Sequence, residues 1–224
     1  MNRPDKTYLI LSDVHGCYKT MLALLDKVRT NNAARELILL GDLIDRGKRS
    51  REVVEYAITH SIPTLYGNHE DLCLAYSVHA KQGYKAKCPE YYDRDVWLYN
   101  GGEDALESWD GTIPKYVLDW MSSLPPYVIL NQENAGRKTL LSHSGYGLSA
   151  DTGHWISALW GRYPDDGEFP EDGFLRVFGH TKNREAQKGD GWINIDTGCA
   201  YKGYEVLTGL LYPEMKLVTQ KNVD

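Results

Sequence analysis

SDVHG (Ser12–Gly16), GDLIDRG (Gly41–Gly47) and GNHE (Gly67–Glu70) each follow a short apolar run and lead into a segment with helical spacing. The runs are Thr7–Leu11, Glu36–Leu40 and Ile62–Tyr66, read as three buried strands. Tyr18, Met21, Leu22, Leu25 and Val28 mark the first helical face; Val53, Val54, Ala57 and Ile58 mark the second. A third helix is expected from Glu70 to about Gln82. Asp13 and Asp42 lie 29 residues apart, and Asp42 and Asn68 lie 26 apart. Each interval matches one strand–helix–strand unit of roughly 30 residues. Such units set their strands side by side, so the loops leaving the strand ends converge at one sheet edge.

Two further loops carry the same residue types, LSHSG with His143 and FGHT with His180. Asp, Asn and His offer oxygen and imidazole donors, the set expected of a hard or borderline divalent cation. Taken singly, each loop reads equally well as a turn or a helix cap, because Asp and Asn favour both. Five in one chain of 224 residues point to a shared site.

Beyond residue 82 the pattern changes. Gly83–Gly102, rich in Tyr, Lys and charge, reads as an exposed segment. Val117, Leu118, Met121 and Leu124 form a helical face stopped by Pro125-Pro126. Tyr127–Leu130 and Lys138–Ser142 read as strands around a turn at Asn131–Gly136, and Ser149–Gly173 as loop. Strands are expected at Phe174–Phe178, Trp192–Ile195, Tyr204–Leu211 and Met215–Thr219. Strand–helix units followed by strands predict a layered α/β sandwich, read as a single domain over residues 1–224.

The net charge of −6 gives no support to nucleic acid or an anionic membrane as main partner. No apolar run approaches the roughly 20 residues that span a bilayer, and the amino-terminal stretch lacks the core of a secretion signal. A cytoplasmic setting is expected. The four cysteines, Cys17, Cys73, Cys88 and Cys199, form no Cys-x-x-Cys pair and are read as free thiols, Cys17 being the candidate for redox activity near the site.

The order SDVHG, GDLIDRG, GNHE, LSHSG, FGHT resembles the metallophosphoesterase superfamily, and within it the small bacterial and phage phosphoprotein phosphatases. WLYNGGEDAL (Trp97–Leu106), LWGR (Leu159–Arg162) and INIDTGCAYKG (Ile193–Gly203) extend the resemblance, which runs from about Tyr8 to Leu211. It implies the calcineurin-like αββα sandwich. Two departures stand out: Ser12 precedes Asp13 where the family usually has Gly, and Ser144 follows His143 where Ala is frequent.

The resemblance implies a centre of two divalent cations, Mn²⁺ by preference, with Fe or Zn as alternatives. By the same resemblance Asp13 and His15 hold the first, Asp42 bridges both, and Asn68, His143 and His180 hold the second. His69 is implied as general acid with Asp45 as its partner, although Asp45 also reads as a structural ion pair to an arginine. Arg46 and Arg162 are implied to grip phosphate beside Asn68, since a planar guanidinium matches phosphate; Arg162 alone also reads as an ordinary surface residue. Glu70 reads either as an orienter of ligands or as a helix N-terminal acid. Tyr201 is the foremost cleft candidate among the tyrosines, while His60, His79 and His154 read as surface or packing residues.

The implied activity is hydrolysis of phosphoserine and phosphothreonine in a phosphoprotein or phosphopeptide, with tolerance for phosphotyrosine and aryl phosphates, by direct attack of a hydroxide held between the metals. Symmetrical diadenosine tetraphosphatase is the runner-up, whose members commonly carry Ala at the place of Asp45 and Asp at that of Glu70. A phosphodiesterase or nuclease is weaker. A non-catalytic scaffold of the same fold is the alternative from another class. No nucleic acid or membrane partner is expected, and the sequence gives no oligomeric state.

Overall fold

The computed structural model describes residues 6–29, 35–79, 86–87, 95–146, 155–162, 169 and 172–224. Among these, two sheets and six α-helices follow in the order β1 (Tyr8–Leu11), α1 (Tyr18–Arg29), β2 (Glu36–Leu39), α2 (Ser50–Thr59), α3 (Asn68–His79), α4 (Glu103–Ser108), α5 (Lys115–Ser122), β3 (Tyr127–Asn134), β4 (Arg137–Ser142), α6 (Trp155–Trp160), β5 (Leu175–Phe178), β6 (Gln187–Gly189), β7 (Trp192–Asn194), β8 (Val206–Tyr212) and β9 (Lys216–Lys221). A π-helical turn, Leu98–Gly102, precedes α4.

The first sheet runs β2-β1-β8-β9 and the second β3-β4-β5-β7-β6. Period-two alternation divides β1, β2 and β8 of the first sheet between two cores. Leu9, Leu11, Leu37, Leu39 and Leu207 join one core with Met21, Leu24, Val53, Val54, Val117 and Met121 from the helices. Tyr8, Ile10, Ile38, Leu40, Leu210 and Tyr212 face the other, which Leu130, Leu141, Val177 and Ile195 of the second sheet complete. Strands covered on both faces are apolar throughout, which is why Tyr8–Leu11 is buried at every position. The result is helices on sheet on sheet, the expected α/β sandwich.

Topology then fixes where the loops go. β1 and β2 pair in parallel, and so do β4, β5 and β7. Parallel neighbours end at a common edge, so the loops after Leu11 and Leu39 meet in one sheet and those after Ser142, Phe178 and Asn194 meet in the other. No helix among the described residues is long and apolar enough to cross a membrane.

Several elements differ from the sequence reading. Ile62–Tyr66 is not a strand: only a single bridge joins Thr64 to Leu39. Pro63 has no N–H to give a ladder, and the Tyr66 N–H turns away to the Pro125 carbonyl at 2.9 Å. The turn before β4 is shorter than expected, because β3 continues to Asn134 past a register shift after Leu130. The expected loop Ser149–Gly173 contains α6. In the segment expected to be exposed, Trp97 is instead 1 % exposed and lies in the helix-side core. β6 was not anticipated; all three of its residues are exposed.

Candidate active site

Six side chains from five loops converge between the two sheet edges. Asp42 is central: its Oδ2 lies 3.5 Å from His15 Nε2, and its Oδ1 lies 3.4 Å from His143 Nε2. One carboxylate thus faces two separate donor groups, the disposition required of a bridge. His15 Nε2 is also 4.0 Å from Asp13 Oδ1. Asn68 Oδ1 lies 2.8 Å from His143 Nε2 and 3.0 Å from His180 Nδ1. Two triads share Asp42, one with His15 and His69, the other with His143 and His180, each with ligand atoms within 4.8 Å of one another.

The tautomers suit a cation. His15 Nδ1–H donates to the Ile44 carbonyl at 2.8 Å, and His143 Nδ1–H to the Leu40 carbonyl at 3.0 Å. In the neutral rings this leaves both Nε2 atoms as lone pairs aimed at Asp42 oxygens. Burial, then the Arg46 guanidinium, holds the His15 pKa well below its ordinary value. Burial, then the neighbouring Asp13, pushes the Asp42 carboxyl well up. Lone pairs facing lone pairs in so buried a cluster repel, save where the Arg46 guanidinium meets His15 Nε2. Divalent cations favour the carboxylates and the neutral imidazoles together, so the donor set fits a dinuclear centre.

The surrounding chain holds these ligands in place. Glu70 accepts from the backbone N–H groups of Asp42, Leu43 and Gly67 at 2.9, 2.9 and 3.0 Å, so it orients the GDLIDRG loop rather than merely opening a helix. Asp13 accepts from the His180 N–H at 3.0 Å and from the Ser12 hydroxyl, which gives the departure at Ser12 a local use. Gly179 and Gly67 are required by contact: a Cβ would run into Asp13 and Ser12 at the first, and into Asp42 at the second. The backbone is left-handed at Asp13, His15, Asp42, Asp45, Arg46 and His180, with φ between 42° and 75°. Asp224 accepts from the Lys19 and Thr20 N–H groups at 3.1 and 2.9 Å and so caps α1, which starts three residues after His15.

His69 Nδ1 is hydrogen-bonded to Asp45 Oδ2, and its Nε2 lies 3.9 Å from Asp42 Oδ2. The Trp97 indole donates to Asp45 at 3.0 and 2.9 Å. Among the described residues Asp45 is hydrogen-bonded to His69 and Trp97, the arrangement that the dyad reading expects. Burial, then Arg46, lowers the His69 pKa well below normal; burial pushes Asp45 well up, with the Trp97 N–H opposing. Both shifts favour an Asp45 carboxyl that keeps a proton for His69.

A cavity of about 220 Å³ opens over this centre. Arg46 and Arg162 both line it, with Asn68, His69, Tyr201 and Lys182. Arg46 reaches back to His15 Nε2 and lies 4.6 Å from the Tyr201 ring centre. Burial pushes the Tyr201 hydroxyl up to about 12. Ser144, the second departure, reaches the carbonyls of Ser157 and Ala158 at 2.7 and 2.9 Å and ties α6, which carries the chain to Arg162. Every site residue expected from sequence that is described lies at this centre. Asp196, Trp97, Asn100, Trp160 and Lys182 were missed as individual residues, although the first four sit in motifs already noticed. Burial, then Asp13, raises the Asp196 carboxyl well above its ordinary value. His60 is exposed and stacks on Tyr56, as a surface histidine should; His154 and the His79 side chain lie outside the described set. Cys17, Cys73 and Cys199 are free and buried, and Cys88 is not among the described residues.

Known proteins give the same picture. The calcineurin-like phosphoesterase family matches residues 6–218. An asymmetrical bis(5′-nucleosyl)-tetraphosphatase of Bacillus subtilis is 26 % identical over 95 % of this chain and 93 % of its own. Serine/threonine-protein phosphatase 2 of Salmonella typhimurium is 28 % identical over 68 % of this chain and 66 % of its own. A crystal structure provisionally named a diadenosine tetraphosphatase superposes with a TM-score of 0.72 at 19 % identity, covering 100 % of this chain and 97 % of that one. A cold-active protein-tyrosine phosphatase from Shewanella superposes with a TM-score of 0.56 at 18 % identity, covering 96 % and 80 %. With a family match across almost its whole length and a donor set suited to two cations, this chain belongs to the calcineurin-like metallophosphoesterases.

Proposed function

We propose that this protein is a metal-dependent phosphomonoesterase acting on phosphoserine and phosphothreonine in proteins or peptides, with tolerance for phosphotyrosine and aryl phosphates. The observation that carries the reading is the His69–Asp45–Trp97 chain. A serine or threonine alkoxide is a poor leaving group and needs a proton in the transition state. A nucleotide phosphate leaves readily and needs much less help. The dyad with one proton in excess can be drawn as Asp45 carboxyl with neutral His69, or as carboxylate with imidazolium. In either form Nδ1 is occupied by the Asp45 contact, and Nε2 carries a hydrogen. His69 Nε2 is thus the proton donor to the leaving oxygen.

The other roles follow from placement. Asp13, His15 and Asp42 would hold one cation, and Asp42, Asn68, His143 and His180 the second. Two such cations, Mn²⁺ by preference, supply charge neutralisation and acidify the attacking water. Arg46 and Arg162 bind the remaining phosphoryl oxygens, and Asn68 adds a polar contact. A cytoplasmic protein without membrane or nucleic-acid partners suits this reading.

The relatives that span the full chain support a second reading, hydrolysis of a dinucleoside tetraphosphate. They carry the asymmetrical name, whereas the sequence had suggested the symmetrical reaction. Metal-stripped protein, with and without Mn²⁺, offered a phosphoserine peptide and diadenosine tetraphosphate at equal concentration separates the two. Mn²⁺-dependent inorganic phosphate from the peptide is the expected product. Preferential release of AMP with ATP, or of two ADP, moves the protein to the nucleotide hydrolases. Inactivity on both revives the scaffold.

A further inference from the structure

Many of the described surface cations face a carboxylate. Lys48 pairs with Asp104 and Glu107, Arg51 with Glu55, Lys115 with Asp119, and Arg35 with Glu214. The loop after His180 is different. Lys182 Nζ lies 4.3 Å from the ring centre of Tyr201 and 5.9 Å from that of Tyr204. Arg184 Cζ lies 5.4 Å from the Tyr204 ring, and its guanidinium donates to the Gly203 carbonyl at 3.2 Å. Among the described residues, neither cation forms an ion pair with a carboxylate. A ring face steadies a cation without neutralising it. The positive charge therefore stays available.

Its position gives that charge a use. Lys182 lines the same cavity as His15, His69, Arg46 and Arg162. Tyr201 joins the two regions, since its ring meets both Lys182 and Arg46. Burial keeps the Tyr201 hydroxyl protonated, so it adds a donor and no negative charge. Two guanidinium groups and two cations already answer one phosphoryl group. A third side-chain cation at the mouth exceeds that need, in a chain whose net charge is −6.

We infer that Lys182, seated on Tyr201 and backed by Arg184 on Tyr204, forms an accessory anion subsite that takes a second negatively charged group of the substrate, next to the phosphoryl group that is hydrolysed. The inference rests on the cavity being a phosphoester site and on neither choice of substrate above. The second group is an acidic side chain in a phosphopeptide or a further phosphate in a polyphosphate; the chemistry at Lys182 is the same.

The test uses non-hydrolysable ligands, so it does not depend on turnover. Mn²⁺-loaded wild type, Lys182→Ala and Lys182→Arg are titrated calorimetrically with two matched pairs. One is a phosphonate peptide with Glu or Gln beside the phosphonate-bearing residue. The other is methylenediphosphonate and methylphosphonate. The readout is the affinity ratio within a pair. Wild type should prefer the more negative member of at least one pair by about tenfold, the order of one charge-assisted hydrogen bond. Lys182→Ala should bring that ratio close to one, and Lys182→Arg should retain most of it. Preference within the peptide pair identifies an acidic phosphopeptide; preference confined to the diphosphonate pair identifies a polyphosphate. A ratio that Lys182→Ala leaves unchanged in both pairs, including an equal loss for both members, overturns the subsite.

Discussion

Trp97 donates its indole N–H to both carboxylate oxygens of Asp45, a residue 52 positions earlier in the chain. The indole hydrogen bond opposes the upward shift that burial imposes on Asp45, and the Asp45 side chain holds His69 through Nδ1. Trp97→Phe keeps an aromatic ring in the core but removes that donor. We expect hydrolysis of phosphoserine to fall about tenfold while aryl phosphates change little, because only the poor leaving group depends on the acid. His69→Asn should show the same asymmetry more strongly, about 10²-fold or more on phosphoserine. Equal losses on both substrates in a leaving-group series would count against His69 as the acid.

Mn²⁺ should raise the melting temperature sharply. The buried carboxylates of Asp42 and Asp196 are pushed up by burial and by Asp13, and a cation relieves that directly. Metal at about a hundred times its dissociation constant stabilises by roughly 2.7 kcal/mol. For a domain of this size that is about 5–10 °C. Differential scanning fluorimetry with chelator and then Mn²⁺ measures it. His143→Ala, which leaves Asp13 and His15 in place, should retain about half of the shift.

Ser144→Ala removes the contact to the carbonyls of Ser157 and Ala158. A loss of about 1 kcal/mol in stability follows from one buried hydrogen bond. Freed from that tie, α6 holds Arg162 less firmly, so KM for a phosphate ester should rise more than kcat falls. A fall in kcat alone, at constant KM, would place the effect elsewhere.

Arg35 and Glu214 form a two-pronged pair at 2.9 and 2.7 Å. The pair holds the Glu214 carboxyl below its ordinary value. A carboxyl depressed in the folded state stabilises at every pH above its unfolded pKa and loses that contribution as pH falls through the folded value. Glu214→Gln should therefore lower the melting temperature at pH 7 by no more than about 2–4 °C, since solvent screens a pair this exposed to about 1 kcal/mol or less. The difference from wild type should close as the pH falls below about 4. A difference that persisted at low pH would exclude the ion pair as its source.

The metal loops were legible because sequence spacing and topology agree. Asp13 and Asp42 are one unit apart, and β1 and β2 lie side by side in parallel. Glu70 was left between two roles because its three backbone donors come from residues that only the fold gathers. Trp97 was hidden by its neighbourhood of charged and tyrosine residues; no local pattern announces a partner as distant as Asp45. Ile62–Tyr66 has the apolar content of a strand, but Pro63 denies it a ladder. β6 has no buried residue and so no periodicity to read. Lys182 carried no signal, since its distinction is the pair of rings, Tyr201 and Tyr204, that only the fold brings beside it.

At His15 and Arg46 the backbone is left-handed although both carry side chains. Such a conformation costs a side-chain-bearing residue roughly 1 kcal/mol or more, and glycine much less. A library screened for heat resistance alone, in the presence of a chelator, should therefore enrich glycine at these positions. The survivors would be tougher proteins and poor catalysts. Ligand geometry and thermal robustness pull the same two loops in opposite directions, so any engineering of this chain has to select for both at once.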